Sequence, residues 1–289
     1  MKKPAFACRL TAGFLGFVLV CLILVSAGWS LGQELAFGNS IYSRTYAAFE
    51  DAQLQELHAL AGELAGRYGF SADSVCGLLT RDSLRESSGR VVEWLHALFA
   101  EEPDTDVPVV YFAGIEDTVR DDAGFLSTVP ENLQRSTARN DVENVLIRRG
   151  QSMIFPIRGQ LLLAARMEAE KKLDLERIVQ WLQKFYLIYV CMGVILLAIV
   201  LLMMKNEYYA LGYVGAALAA SAVVLLLIWV FAYLLNIPGA VMIANAYASR
   251  WAGRFLVEVL LYLLRWIVPC LVAGGAFMAL AGHGRKGRA

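Results

Sequence analysis

The chain has 289 residues, 58% of them hydrophobic on a broad count, and a formal net charge of zero. The charges are segregated: residues 33–180 carry 24 Asp/Glu against 15 Lys/Arg, whereas outside them Glu207 and Glu258 stand alone against 11 Lys/Arg. Long apolar runs in this composition exclude an ordinary water-soluble domain, and the lack of a basic, aromatic-rich block excludes nucleic acid as a partner.

The first apolar run is Thr11 to Gly32, preceded by Lys2, Lys3 and Arg9. About 20 apolar residues rising 1.5 Å each cross the hydrocarbon core of a bilayer, so an uncleaved span is expected. A signal peptide with "VSA" before its cleavage point is the competing reading. After this span the sequence turns polar and helical in period. Leu54, Leu57, Leu60, Ala61, Leu64 and Tyr68 fall on one stripe. Leu84, Val91, Val92, Leu95, Leu98 and Phe99 form a second. "EEPDTDVPVVYF" reads as a Pro- and acid-rich loop, and its "VVYF" as at most a short strand. A long helix is expected after Pro156. In it Leu175, Ile178, Leu182, Phe185 and Tyr189 step by alternating threes and fours, a coiled-coil seam for which Tyr42, Tyr46 and Phe49 supply a facing stripe.

Further apolar runs cover Phe185 to Met204, Tyr208 to Leu235 and roughly Phe255 to Ala281. Only "KNE" joins the first two of these, which demands a tight helical hairpin. Pro238 and Gly239 break the chain after the third. The sequence therefore predicts an all-α integral membrane protein with four transmembrane helices and a large, mainly helical extracytoplasmic domain between the first and second spans. The boundaries are a cytoplasmic N-terminus at 1–10, spans at 11–32, 183–204, 208–236 and 255–282, the external domain with its stalk at 33–182, an external loop at 237–254 and a basic cytoplasmic tail at 283–289. Lys/Arg in the N-terminus, hairpin and tail set this orientation; Arg250 and Arg254 in the external loop oppose it.

Within the fourth run Trp251, Arg254, Glu258, Tyr262 and Arg265 fall on one helical face. A charge facing lipid costs a few kcal/mol, so the candidate intramembrane polar face of Arg254, Glu258, Tyr262 and Arg265 is expected to avoid lipid. Structural pairing, an amphipathic helix lying in the interface, and a functional pathway are its three readings. Gly212, Gly215, Ala216, Ala219 and Ala220, and again Gly275 and Ala279, are spaced for close helix packing.

Other chemistry is sparse. Acids gather at Glu101, Glu102, Asp104 and Asp106 and at Glu116, Asp117, Asp121 and Asp122, without the spacing of a calcium loop. His58 and His96 sit within helical stripes and read as structural. The five cysteines show no metal-ligand spacing, and only Cys76 falls in the polar segment, which thus has no internal disulfide. No HExxH, GxSxG or Walker A motif occurs, so neither enzyme activity nor a cofactor is expected.

The layout of one span, a large external domain, and three spans with a short inner hairpin resembles the membrane subunit of bacterial exporters of the MacB and FtsX type. The resemblance covers topology and no motif, the all-helical external domain departs from the type, and no functional residue carries over. The expected role is that of a non-enzymatic multi-pass membrane protein with an extracytoplasmic interaction or sensing domain. The alternative is the membrane subunit of a transporter or ABC-type exporter served by a separate ATPase. Expected partners are the lipid bilayer and a membrane protein or a second copy of the chain.

Overall fold

The computed structural model describes residues 6–69, 71–99, 106–109, 135–169, 177, 180–181, 184, 186–202, 207–243 and 245–286. Among these residues the protein is all-helical, with no strand. The helices are α1 (Phe6–Phe37), α2 (Ser40–Ala47), α3 (Glu50–Tyr68), α4 (Ala72–Cys76), α5 (Arg81–Phe99), α6 (Arg135–Ile154), α7 (Arg158–Ala169), α8 (Tyr186–Leu202), α9 (Glu207–Leu234), α10 (Ile237–Ala240) and α11 (Ala246–Lys286). Three of them, α1, α9 and α11, are long and apolar enough to cross a membrane; α8 is apolar but has 17 residues. Both acidic clusters except Asp106, the "VVYF" segment except Val109, and the seam residues Leu175, Ile178, Leu182 and Phe185 lie outside the described residues.

The chain divides into two compact units. One comprises Ala36–Glu176 with Val241–Phe255 and follows the logic of a water-soluble bundle. Apolar residues at intervals of three and four put Leu57, Ala61 and Leu64 of α3 against Val91 and Leu95 of α5 and Val142 and Leu146 of α6, all buried in one core. Ion pairs such as Arg67–Glu63 and Arg90–Glu86 sit on the solvent side, where each contributes little. Gly69 ends α3 in the left-handed region at φ 75°, and its N–H bonds to the carbonyl of Ala65; only glycine takes that conformation without a Cβ clash. Thr80 and Ser83 start α5 reciprocally: the Thr80 N–H donates to Ser83 Oγ (3.0 Å) and the Ser83 N–H to Thr80 Oγ1 (3.2 Å). His58 bonds the Leu79 carbonyl through Nε2 at 2.9 Å, and His96 bonds that of Gly38 at 2.9 Å. Both histidines thus hold backbone, as their place in helical stripes suggests.

Residues 237–254, read from sequence as a loop, hold α10 and the start of α11. The signal is Asn245, whose Oδ1 accepts the Tyr247 N–H at 2.8 Å and whose carbonyl accepts that of Ser249 at 3.0 Å. This is a helix N-cap, and it starts α11 well before the apolar run. The early turns carry Trp251 into the core of the polar unit. Tyr42 accordingly meets the rings of Phe255 (5.6 Å) on α11 and His96 (6.2 Å) on α5, and Tyr46 that of Trp251 (6.1 Å) on α11.

The other unit comprises Met1–Leu35, Arg177–Ala240 and Leu256–Ala289. Ala12, Leu19, Ile23, Ala210, Val214, Ala217 and Cys270 share one apolar cluster, and Ala27, Leu225, Leu263 and Ile267 share the next. Ser26 Oγ approaches Met192 Sδ at 3.3 Å and Trp29 meets the ring of Trp181. These levels fix the helix directions: α1 and α9 run one way, α8 and α11 the other. Along α1 the buried positions Ala12, Gly16, Leu19, Ile23 and Ser26 alternate steps of four and three, the heptad of left-handed helix packing.

The exterior of this unit is apolar where that of the first is charged, while both interiors are mainly apolar. Phe14, Phe17, Val190, Val194, Leu227, Phe231 and Val272 are exposed, while Ser26, Ser221 and Glu258 are buried. With apolar surroundings outside, helices associate through close contact and polar groups rather than by hiding oily faces. Gly215 of α9 and Gly274 of α11 show this directly: a Cβ on Gly215 would stand 2.9 Å from the Gly274 carbonyl oxygen, and one on Gly274 would stand 2.8 Å from the Ala219 nitrogen. Gly275, the residue picked out by spacing, has nothing within 4 Å of its would-be Cβ.

Candidate functional site

A cleft in the polar unit lies among α2, α3 and α5. It has a volume of about 320 Å³, and Asn39, Ser43, Glu50, Gln53, Arg85 and Ser88 supply its polar lining. Glu50 and Gln53 continue the core stripe of α3 backwards from Leu57, so the helical period that buries the leucines buries a carboxylate and an amide as well. Glu50 is 8% exposed. A buried carboxylate requires a countercharge, and Arg85 of α5 supplies it: Nη2 donates to Oε2 at 3.1 Å, and Nε lies 2.7 Å from Oε1 as an ion pair without hydrogen-bond geometry. Gln53 Nε2 donates to the Met153 carbonyl at 3.3 Å, tying the cleft floor to α6. Tyr46 borders the cleft, and its burial pushes the phenol pKa up, so it remains a neutral hydrogen-bonding group.

A second polar cluster joins α3, α6 and the first turn of α11. Glu56 Oε1 accepts from Arg149, whose Nε lies at 2.9 Å, and from the Tyr247 hydroxyl. The guanidinium carbons of Arg149 and Arg250 lie 5.1 and 4.8 Å from the Tyr247 ring centre. Partial burial pushes the Glu56 pKa up, but hydrogen bonds from Tyr247 and Arg149 and the charges of Arg149 and Arg250 outweigh it, and the net shift is downward.

The four residues of the sequence-derived polar face fall on one side of α11 but in different settings. Arg254 belongs to the polar unit and is half-buried. Glu258 and Tyr262 belong to the apolar unit and are 2% and 9% exposed. The Tyr262 hydroxyl lies 2.9 Å from Ser30 Oγ on α1. Arg265 is exposed and lies along the Tyr262 ring, its guanidinium carbon 4.9 Å from the ring centre. The stripe thus grades from buried carboxylate to exposed guanidinium within two turns.

No group of three or more His, Cys, Asp or Glu side chains placed to hold a metal ion occurs among the described residues. In comparison with known proteins, no family model matches the chain, and neither a curated protein nor a solved structure matches it. The functional reading therefore rests on chemistry alone. Sequence reasoning missed Glu50 and Arg85, although Glu50 carries a legible signal: it is an acid at a core position of a periodic helix.

Proposed function

We propose that this is a non-enzymatic multi-pass membrane protein with four spans, whose polar unit lies on the extracytoplasmic side and serves as an interaction or sensing domain. The observation that carries this reading is the contrast between the exteriors of the two units. Both interiors are mainly apolar, but one unit has a charged surface and the other an apolar one. Alternating helix directions in the apolar unit support counting α8 as a span beside the three longer helices. They also put the ends of α1 and α9 and the start of α8 on one side of the apolar unit. The basic N-terminus, hairpin and tail then share the cytoplasmic side. The cleft around Glu50 and Arg85 is where a small polar ligand fits.

Accessibility labelling tests the placement. In a background with all cysteines replaced, Glu63→Cys and Glu93→Cys are expected to react with a membrane-impermeant maleimide added to intact cells. A cysteine replacing Lys205 is expected to react only after permeabilisation. The reverse pattern would turn the protein over and remove the sensing role.

The second reading, a transporter or exporter subunit served by a separate ATPase, is favoured by Glu258. An ionisable group 2% exposed in an apolar unit is the usual mark of a pathway residue. Under this reading Glu258→Gln abolishes transport while the protein still inserts and folds.

A further inference from the structure

At the end of the apolar unit opposite Ser30 and Tyr262, a groove of about 480 Å³ runs between the start of α1, the start of α9 and the end of α11. Arg9, Tyr209 and Tyr213 supply its polar groups, and Gly212, Ala216 and Gly282 are its smallest lining residues. We infer that this groove binds one phospholipid with an anionic headgroup, an assignment that rests on the membrane reading above.

Three observations converge on that ligand. The first is shape: three residues with little or no side chain leave a slot between helices that a polymethylene chain can fill, and lipid is the occupant whose tail continues into the bilayer. The second is the boundary. Ala216, Met278 and Ala281 give the groove apolar walls, while two phenols and one guanidinium mark where polarity begins. Tyrosines in such a place bridge acyl and headgroup layers. The third is charge. In sequence, these helix ends carry or adjoin Lys2, Lys3, Arg9, Lys205, Arg285, Lys286 and Arg288 against one acid, Glu207. A basic pocket between helices on the cytoplasmic side favours a phosphate diester with no compensating cation over one that carries choline.

Native mass spectrometry of the full chain in detergent, after lipid removal, tests the assignment. The additions are palmitoyl-oleoyl phosphatidylglycerol, the matching phosphatidylcholine, and glycerol 3-phosphate as a soluble phosphate. One phosphatidylglycerol adduct is expected at a concentration roughly three- to ten-fold below that needed for phosphatidylcholine, the range for one or more cationic contacts, and no glycerol phosphate adduct. Arg9→Gln is expected to erase the difference between the lipids, Arg9→Lys to keep most of it, and Gly212→Leu to weaken both lipids by filling the slot. Arg265→Gln, at the other end of the unit, is expected to change nothing. Equal binding of the two lipids by the unaltered chain, an undiminished preference in Arg9→Gln, or glycerol phosphate binding as well as the lipid overturns the assignment. Recovery of the chain from cells in the aqueous fraction without detergent is a separate result, and it strikes the membrane reading itself.

Discussion

Gly215 and Gly274 meet backbone to backbone where α9 crosses α11, each carbonyl oxygen 2.9 Å from the place where the other's Cβ would stand. A methyl group at either position must push the helices apart, since backbone atoms cannot swing aside. Gly215→Ala and Gly274→Ala are therefore expected to destabilise the apolar unit by about 1–3 kcal/mol, the range for overpacking. Gly275→Ala, one residue along, is expected to be nearly neutral. Melting of the purified protein in detergent reads the difference, and equal effects at 274 and 275 would show that the crossing is looser than described.

The Glu50–Arg85 pair is lopsided: the carboxylate is almost wholly covered, while the Arg85 side chain is 63% exposed. Arg85→Ala leaves the carboxylate without its counterion, at a cost of roughly 1–2 kcal/mol, below that of a fully buried pair because water reaches the arginine. Glu50→Gln in the Arg85→Ala background is expected to recover much of the loss, because it removes the orphaned charge. Denaturant unfolding of the four variants in this cycle, followed by exchange protection across α3 and α5, measures the coupling.

Glu56 gives the polar unit an acid-sensitive joint. Its pKa is lowered in the folded chain, so its contribution is complete above the ordinary carboxylate value of 4.5 and is lost as pH falls through the lowered one. The melting temperature of the polar unit is expected to fall between pH 6 and pH 3. Glu56→Gln is expected to be less stable at neutral pH and to lose less on acidification. A pH profile unchanged by Glu56→Gln would remove Glu56 as its origin.

The Tyr262 hydroxyl and Ser30 Oγ join α11 to α1 at 2.9 Å. Hydrogen bonds between apolar helices contribute little because the separated partners find other acceptors. A cycle of Tyr262→Phe and Ser30→Ala is expected to give a coupling of about 0.6 kcal/mol. Unfolding in mixed micelles reads it, and a coupling near zero means the two groups do not share a proton.

Gly69 holds the left-handed end of α3, and Gly69→Ala is expected to cost about 1 kcal/mol by forcing a Cβ into that conformation. Gly66, inside the same helix with open space around it, is expected to accept alanine with a gain in helix stability. Circular dichroism during urea titration distinguishes the two.

Periodicity carried the sequence reading a long way. The stripes of Leu57, Ala61 and Leu64 and of Val91 and Leu95 are core residues, and the apolar runs are helices, because both follow from local spacing and the 3.6-residue turn. What was illegible depends on partners far along the chain. Nothing near Tyr42 or Tyr46 announces that their rings meet Phe255 and Trp251, some two hundred residues away. Small-residue spacing pointed to Gly275, but only the rotation of α11 against α9 decides that Gly274 is the contact. Glu50 reads as one of many acids in a polar segment until its register with Leu57 is counted. Asn245 was overlooked because Pro238 and Gly239 are louder signals for a break than one asparagine is for a restart.

The inverted exteriors have a practical corollary. Water condenses one half of this polypeptide and would curdle the other, so no single solvent is good for both. Urea acts mainly on the half that dissolves; micelles shield the rest from it. Denaturation should thus proceed in two stages with separate midpoints, and a lone transition temperature for the whole molecule would average two unrelated events.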